Sequence, residues 1–101
     1  MKQWFVYILE TAAGVMYTGI STDVERRIRE HESSIRGAKS LRGKGPLSLL
    51  VQLPASDRSE AQKIEAGIKR LSRREKKEMI RMVKEDRSTF ADYLTNRSMV
   101  S

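Results

Sequence analysis

The first apolar block of the chain, Trp4-Phe5-Val6-Tyr7-Ile8-Leu9, is aromatic and β-branched and carries no polar interruption before Glu10. A run of that length and make-up predicts a buried strand over residues 3–9. Glu10-Thr11-Ala12-Ala13-Gly14 supplies a turn and Val15 to Ile20 a second strand, and so short a link predicts an antiparallel hairpin. A helical period follows. Thr22 stands three residues before Glu25, the spacing of a capping box, ahead of Val24, Ile28 and Ile35 at helical intervals. Residues 33–46 hold Ser, Gly, Lys, Arg and Pro without an acid and read as a loop. Leu47 to Leu53 reads as a third strand closed by Pro54. Asp57 with Glu60 caps a second helix whose stripe is Ala61, Ile64, Ile68 and Leu71; Ser72 with Glu75 caps a third that carries Met79, Ile80, Met82 and Val83. Phe90, Tyr93 and Leu94 predict a last short helix. The order is ββαβαα, an α+β fold in which helices flank a small three-stranded sheet. Residues 1–94 are expected to form a single domain and residues 95–101 a C-terminal tail, with no repeat and no internal linker.

Composition narrows the chemistry. At 101 residues, 39% hydrophobic and 33% charged, the chain suits one modest core. It has no cysteine, which excludes a disulfide framework, a thiolate nucleophile and a Cys-built zinc site. With one histidine, His31, a His-rich metal centre is excluded too. The apolar run at the start is far shorter than the roughly 20 residues of a membrane helix and too short for a signal peptide, so a cytoplasmic protein away from the membrane is expected. Twenty Lys and Arg against thirteen Asp and Glu leave a net charge of +7. A domain this basic meets a polyanion, either nucleic acid or an anionic membrane surface.

Gly37 to Gly45, with Gly43-Lys44 inside, has the composition of a phosphate-binding loop but not its spacing, and it precedes a strand where such a loop precedes a helix. The informative set lies elsewhere. Tyr7 and Tyr17 fall on adjacent strands, the second followed by Gly19; Arg27 and His31, four apart, project from one helix face; Glu65 borders the apolar stripe of the second helix. Each has an ordinary reading when taken singly. The tyrosines suit core packing, Arg27 a solvated face, His31 a helix end, Glu65 a surface pair with Lys69, and Gly19 a bulge or strand end.

Taken in order and at spacing, these residues resemble a known family. Phe5-Val6-Tyr7, nine intervening residues, then Tyr17-Thr18-Gly19 is similar to the two-part signature of the GIY-YIG nucleases, with Arg27 ten residues past the second tyrosine and Glu65 on a later helix. The resemblance runs over residues 3–83 and is strongest to the small stand-alone bacterial (YhbQ-like) members, through Thr-Asp-Val-Glu-Arg-Arg at 22–27 and Ala-Lys-Ser-Leu-Arg-Gly-Lys-Gly at 38–45. The glycine of the first motif is Phe5 here, so packing at that strand departs from the pattern. The resemblance implies a metal-dependent endonuclease acting on DNA, single-stranded or structured DNA favoured. It implies Mg²⁺ or Mn²⁺ held by Glu65, with Tyr7, Tyr17, Arg27 and His31 completing the catalytic set and Gly19 structural. Phosphodiester hydrolysis needs an activated water and stabilised negative charge on phosphorus. Magnesium tolerates one or two carboxylates with water and substrate oxygens, and a forked, permanently charged Arg27 suits phosphate oxygens. Bringing a tyrosine from about 10 to about 7.5 takes roughly 3.4 kcal/mol of preferential phenolate stabilisation. The sequence does not choose between the two tyrosines; Tyr17 is taken as the expected base, with Tyr7 placing the water or phosphate. Two other readings stay open: a nucleic-acid-binding module without turnover, and an accessory subunit of a DNA-repair assembly.

Two basic segments remain. Arg36, Lys39, Arg42 and Lys44 lie in a stretch, Ser33 to Ser56, that has no acid; Lys69, Arg70, Arg73, Arg74, Lys76 and Lys77 cluster where the second helix meets the third. A loop of four cations and flexible glycines can follow a phosphate backbone, so the first segment is the expected DNA contact. Each phosphate it neutralises contributes about −0.9 to the slope of log affinity against log salt on duplex, or about −0.7 on single strands. Replacing Lys39 and Arg42 with alanine is therefore expected to flatten that slope by about one to two units in a salt titration of DNA binding. An unchanged slope excludes the loop as the contact.

Overall fold

The computed structural model describes residues 2–33 and 46–86. They form a three-stranded antiparallel sheet and three helices, in the order β1 (Trp4–Glu10), β2 (Met16–Ser21), α1 (Val24–Ser33), β3 (Ser48–Ala55), α2 (Arg58–Lys69) and α3 (Arg73–Asp86). This is the α+β order ββαβαα expected from the hydropathy pattern. The expected loop's residues 34–45, with Arg36, Lys39, Arg42 and Lys44, lie outside the described residues, as do Ile35, the last short helix and the tail.

The sheet order β2-β1-β3 makes β1 the central strand, which explains its unbroken apolar run. Val6 and Ile8 point into one cluster with Val51, Leu53 and Ala55 of β3 and Ala61, Ile68, Met79 and Ile80 of α2 and α3. Tyr7 and Leu9 point the other way, to Val24 and Ile28 of α1 and to Tyr17. With both faces covered, alternation vanishes and all four central residues are buried. The turn between β1 and β2 closes on Gly14, whose φ of 85° suits a residue without a side chain. The Gly14 amide donates to the Thr11 carbonyl (2.9 Å) and the Val15 amide to the Thr11 hydroxyl (3.1 Å).

Two local expectations are refined. The cap of α1 is Asp23 rather than Thr22: its Oδ1 accepts from the Arg26 amide at 3.1 Å and its carbonyl from the Arg27 amide. Both residues can cap, and Asp23 is placed to do so because the Ser21 hydroxyl accepts from its amide at 2.9 Å. The third strand does not stop at Pro54 but runs through it to Ala55, with Pro54 opposite Phe5. β3 is an edge strand, where the missing N–H of proline can face away from the partner. The register shifts between Ile8, opposite Val51, and Leu9, opposite Leu49, so that Leu50 is the extra residue of a bulge. The other two caps form as expected: Asp57 accepts from the Glu60 amide at 2.8 Å, and Ser72 and Glu75 exchange a reciprocal pair at 2.9 and 3.1 Å.

A strand buried on both faces tolerates little loss of volume. Ile8 is fully buried, so Ile8→Ala should lower the unfolding free energy by about 2–5 kcal/mol, read as a lower urea midpoint at unchanged slope.

Candidate active site

Strand pairing decides what the two tyrosines share. Tyr7 lies opposite Gly19 and Leu9 opposite Tyr17, so Tyr7 and Tyr17 are diagonal neighbours on one face of the sheet. Their ring centroids are 6.4 Å apart. On that face runs α1, which buries Val24 and His31 against the sheet and leaves Arg27 part-exposed beside them. The His31 ring lies 6.3 Å from Tyr7 and 5.3 Å edge-on to Tyr17, and the imidazole Nε2 is 3.1 Å from the Tyr7 hydroxyl.

Gly19 makes this packing possible. A Cβ built there would lie 2.6 Å from the Tyr7 hydroxyl oxygen and 2.7 Å from its Cζ. The Tyr7 phenol therefore occupies the space that a side chain on β2 would fill. The expectation of a bulge or strand end is replaced by close approach: Gly19 sits inside β2 in regular register with Tyr7. The phenol is 1% exposed and His31 fully buried, so each satisfies the other's polar atom. His31 is no longer a simple helix-end cation. Burial first, and the Arg27 charge second, push its pKa below the ordinary value, while Glu30 works weakly in the other direction. The ring is neutral at pH 7, and in the tautomer protonated at Nδ1 its Nε2 accepts the phenolic hydrogen. Burial pushes the Tyr7 phenol up to about 12, helped by Tyr17; the charge and hydrogen bonding of Arg27 pull it down, and Glu65 adds a smaller upward push.

Arg27 is held by Glu30 one turn on, at 2.9 Å between Nη1 and Oε1, both side chains part-exposed. That pairing raises the arginine's pKa, with the tyrosines adding to it. Glu30 is the member of the cluster that sequence reasoning missed, although its place three residues after Arg27 is a pairing signal. Glu65 arrives from a different layer. The stripe of α2 packs with Val6 and Ile8 on the far side of the sheet, and the charge of Glu65 adds only the smallest of the influences on the Tyr7 phenol. Glu65 also meets the Lys69 Nζ at 3.4 Å, its own side chain 23% exposed. Among the described residues no group of three or more His, Cys, Asp and Glu gathers as a metal cage. Glu65 is a single part-exposed carboxylate, a donor set that would leave most of a divalent ion's shell to water and substrate.

The family model of the GIY-YIG catalytic domain matches residues 3–78. The chain belongs to the GIY-YIG family. It is 50% identical over 78 residues to a UPF0213 protein of Pectobacterium carotovorum, covering 77% of this chain and 78% of that one. It is 48% identical over 80 residues to UPF0213 protein YhbQ of Escherichia coli K12, covering 79% of each. Among solved structures it is similar to the UPF0213 protein of Bacillus halodurans, solved by solution NMR, with a TM-score of 0.52, 42% identity, and 79% and 84% of the two chains covered. Membership implies a nuclease-type catalytic domain with nucleic acid as the substrate class, in a family that generally uses divalent metal ions. No helix among the described residues is long and apolar enough to cross a membrane.

The buried pair gives the fold a pH signature. With the folded-state pKa of His31 below its unfolded value near 6.5, its contribution is complete above about pH 6.5 and is lost as pH falls. Tyr7 behaves oppositely: its raised pKa stabilises the fold below pH 10 and that contribution fades as pH climbs toward about 12. Unfolding free energy measured across pH 5–8 should decline toward the acid end, and the decline should flatten in His31→Gln. An equally steep acid limb in the variant would assign it to other groups.

Proposed function

We propose that this protein is a metal-dependent endonuclease that hydrolyses DNA phosphodiester bonds in the cleft formed by Tyr7, Tyr17, Arg27, His31 and Glu65, with single-stranded or structured DNA favoured. The observation that carries this reading is the convergence of both motif tyrosines, His31 and Arg27 on one sheet face, with the Glu65 charge bearing on the same phenol.

The roles follow from environment. Tyr7, buried and pushed up to about 12, remains a neutral phenol at working pH, suited to hold its His31 bond and place the reacting group rather than remove a proton. Tyr17 is only half-buried and is assigned as the general base. As the phenolate it takes a proton from the attacking water as that oxygen bonds to phosphorus and the bond from phosphorus to the departing deoxyribose oxygen breaks. Arg27 spans non-bridging phosphate oxygens, where its fork stabilises charge that grows toward the transition state. Glu30 holds the guanidinium in place before substrate arrives. Glu65 is the residue to hold Mg²⁺ or Mn²⁺, exchanging its exposed Lys69 partner for the ion. When bound, the ion supplies Lewis-acid neutralisation of the phosphate and the leaving oxygen.

A time course on labelled single-stranded, duplex and branched DNA, with Mg²⁺, Mn²⁺ or EDTA, tests the reading. Cleavage should require the metal. Glu65→Gln should abolish turnover while DNA binding survives, because the amide keeps the shape without the charge. Arg27→Lys should stay at least a hundredfold below wild type, because lysine lacks the planar fork, and Tyr17→Phe should fall further than Tyr7→Phe falls per folded molecule. Near wild-type cutting by the Glu65 variant in clean preparations removes the metal role, and retention of most turnover by the lysine variant removes the transition-state role of Arg27.

A further inference from the structure

The third helix carries a feature that the tyrosine cleft does not use. Its inner side buries Met79 and Ile80 in the cluster on the Val6 and Ile8 face, away from the tyrosines. On its outer side Arg73, Arg74, Lys77, Glu78 and Arg81 line a groove. Residues 73, 77 and 81 fall in one row, and at 1.5 Å rise per residue successive members stand about 6 Å apart along the axis, a step comparable to that between neighbouring phosphates of a strand. From residue 69 to residue 85 eight lysines and arginines face three glutamates, a surplus of five in a chain whose net charge is +7. The acids do not cancel the row. Arg74 pairs with Glu78 at 3.9 Å with the arginine side chain 90% exposed, and Arg81 with Glu85 at 3.6 Å with both exposed. Exposed pairs of this kind are worth little and exchange readily for a phosphate. Arg73 has a different partner: its guanidinium donates to the Gly14 carbonyl at 2.6 Å, which ties the start of α3 to the hairpin turn and fixes the row relative to the sheet.

We propose that the outer ridge of α3, centred on Arg74, Lys77 and Arg81, is a second binding site for a DNA phosphate backbone, on the side of the sheet opposite the tyrosine cleft. Charge and spacing select the ligand. An anionic membrane would call for exposed apolar residues beside the cations, whereas the apolar residues of α3 are turned into the core and the groove is lined by charged side chains alone. The ridge contacts carry no base-reading geometry, so the site is indifferent to sequence. Because ridge and cleft face opposite ways, one short stretch of DNA cannot fill both, and the ridge holds a separate segment of a longer or branched molecule. The inference shares with the proposed function only the class of partner and does not require turnover.

The test is equilibrium binding of a labelled duplex across a salt series, with wild type, the triple variant Arg74→Gln/Lys77→Gln/Arg81→Gln, and the single variant Glu78→Gln. The replaced side chains are exposed, and an unchanged helical spectrum and urea midpoint confirm the fold. The triple variant should flatten the salt slope by about two to three units, close to 0.9 for each phosphate released, and weaken binding at low salt at least tenfold. Removing the acid in Glu78→Gln should tighten binding severalfold, a gain that a damaged fold cannot imitate. Tyr17→Phe should keep the wild-type slope, so a dead or misassigned active site leaves this readout intact. A triple variant with wild-type slope and affinity overturns the proposal, as does wild-type protein that binds vesicles of anionic lipid while leaving the duplex free.

Discussion

A phenol buried to 1% exposure and pressed over a glycine is the constraint around which the tyrosine face is arranged. A hydroxyl withdrawn from water must keep a hydrogen-bond partner or cost on the order of 1–3 kcal/mol. For Tyr7 that partner is His31, which comes from the far end of α1. The bond holds only if three independent features agree. Position 19 must lack a side chain; β1 and β2 must pair without slipping; and α1 must start at the turn angle its Asp23 cap imposes. Across the same helix, the Glu32 carboxylate accepts from the Leu47 amide at 2.9 Å, which ties the end of α1 to the approach to β3. A one-residue slip would send Tyr7 to the other face of the sheet and part the phenol from the imidazole.

Burial then divides two tyrosines of the same chemistry. Tyr7 lies inside the layer, where burial favours the neutral phenol; Tyr17 beside it is half-buried. Arg27 stands between opposing influences, drawn by Glu30 and drawing down the phenol beside it. In the proposed reaction this is a resting arrangement in which the arginine is oriented by an exchangeable acid, so that a phosphate finds the fork already aimed. Glu65 sits on α2, whose stripe packs on the opposite face of the sheet, and its charge adds only the smallest upward push on the Tyr7 phenol.

The charge of the molecule has a direction as well as a size. The sheet separates α1 and its tyrosine face from the helix pair α2 and α3, and the larger part of the positive surplus falls at the end of α2 and along α3. A basic domain whose cations surrounded a single cleft would bind one segment of polyanion. Here the described cations lie mainly behind the cleft, and the geometry suits a partner long enough to meet the protein on two sides.

Much of this was legible in the order of residues. The apolar block at Trp4 to Leu9, the glycine-closed turn, the Asp57 and Ser72 caps and the stripe of α2 each report local energetics, and local energetics survive in the folded state. The spacing of Tyr7, Tyr17, Gly19, Arg27, His31 and Glu65 pointed to the family whose model matches residues 3–78. Other features depended on distance through space. That β1 is central, and so buried on both faces, follows from β3 adding to its free edge rather than to β2. That Pro54 continues a strand follows from β3 lying at that edge. That Gly19 is needed for the phenol above it, that His31 is buried and neutral, and that Glu30 holds Arg27 all arise where segments far apart in the chain come together. Periodicity records which side of an element is apolar. Which other element meets that side, and what a side chain then touches, is decided only when the layers close.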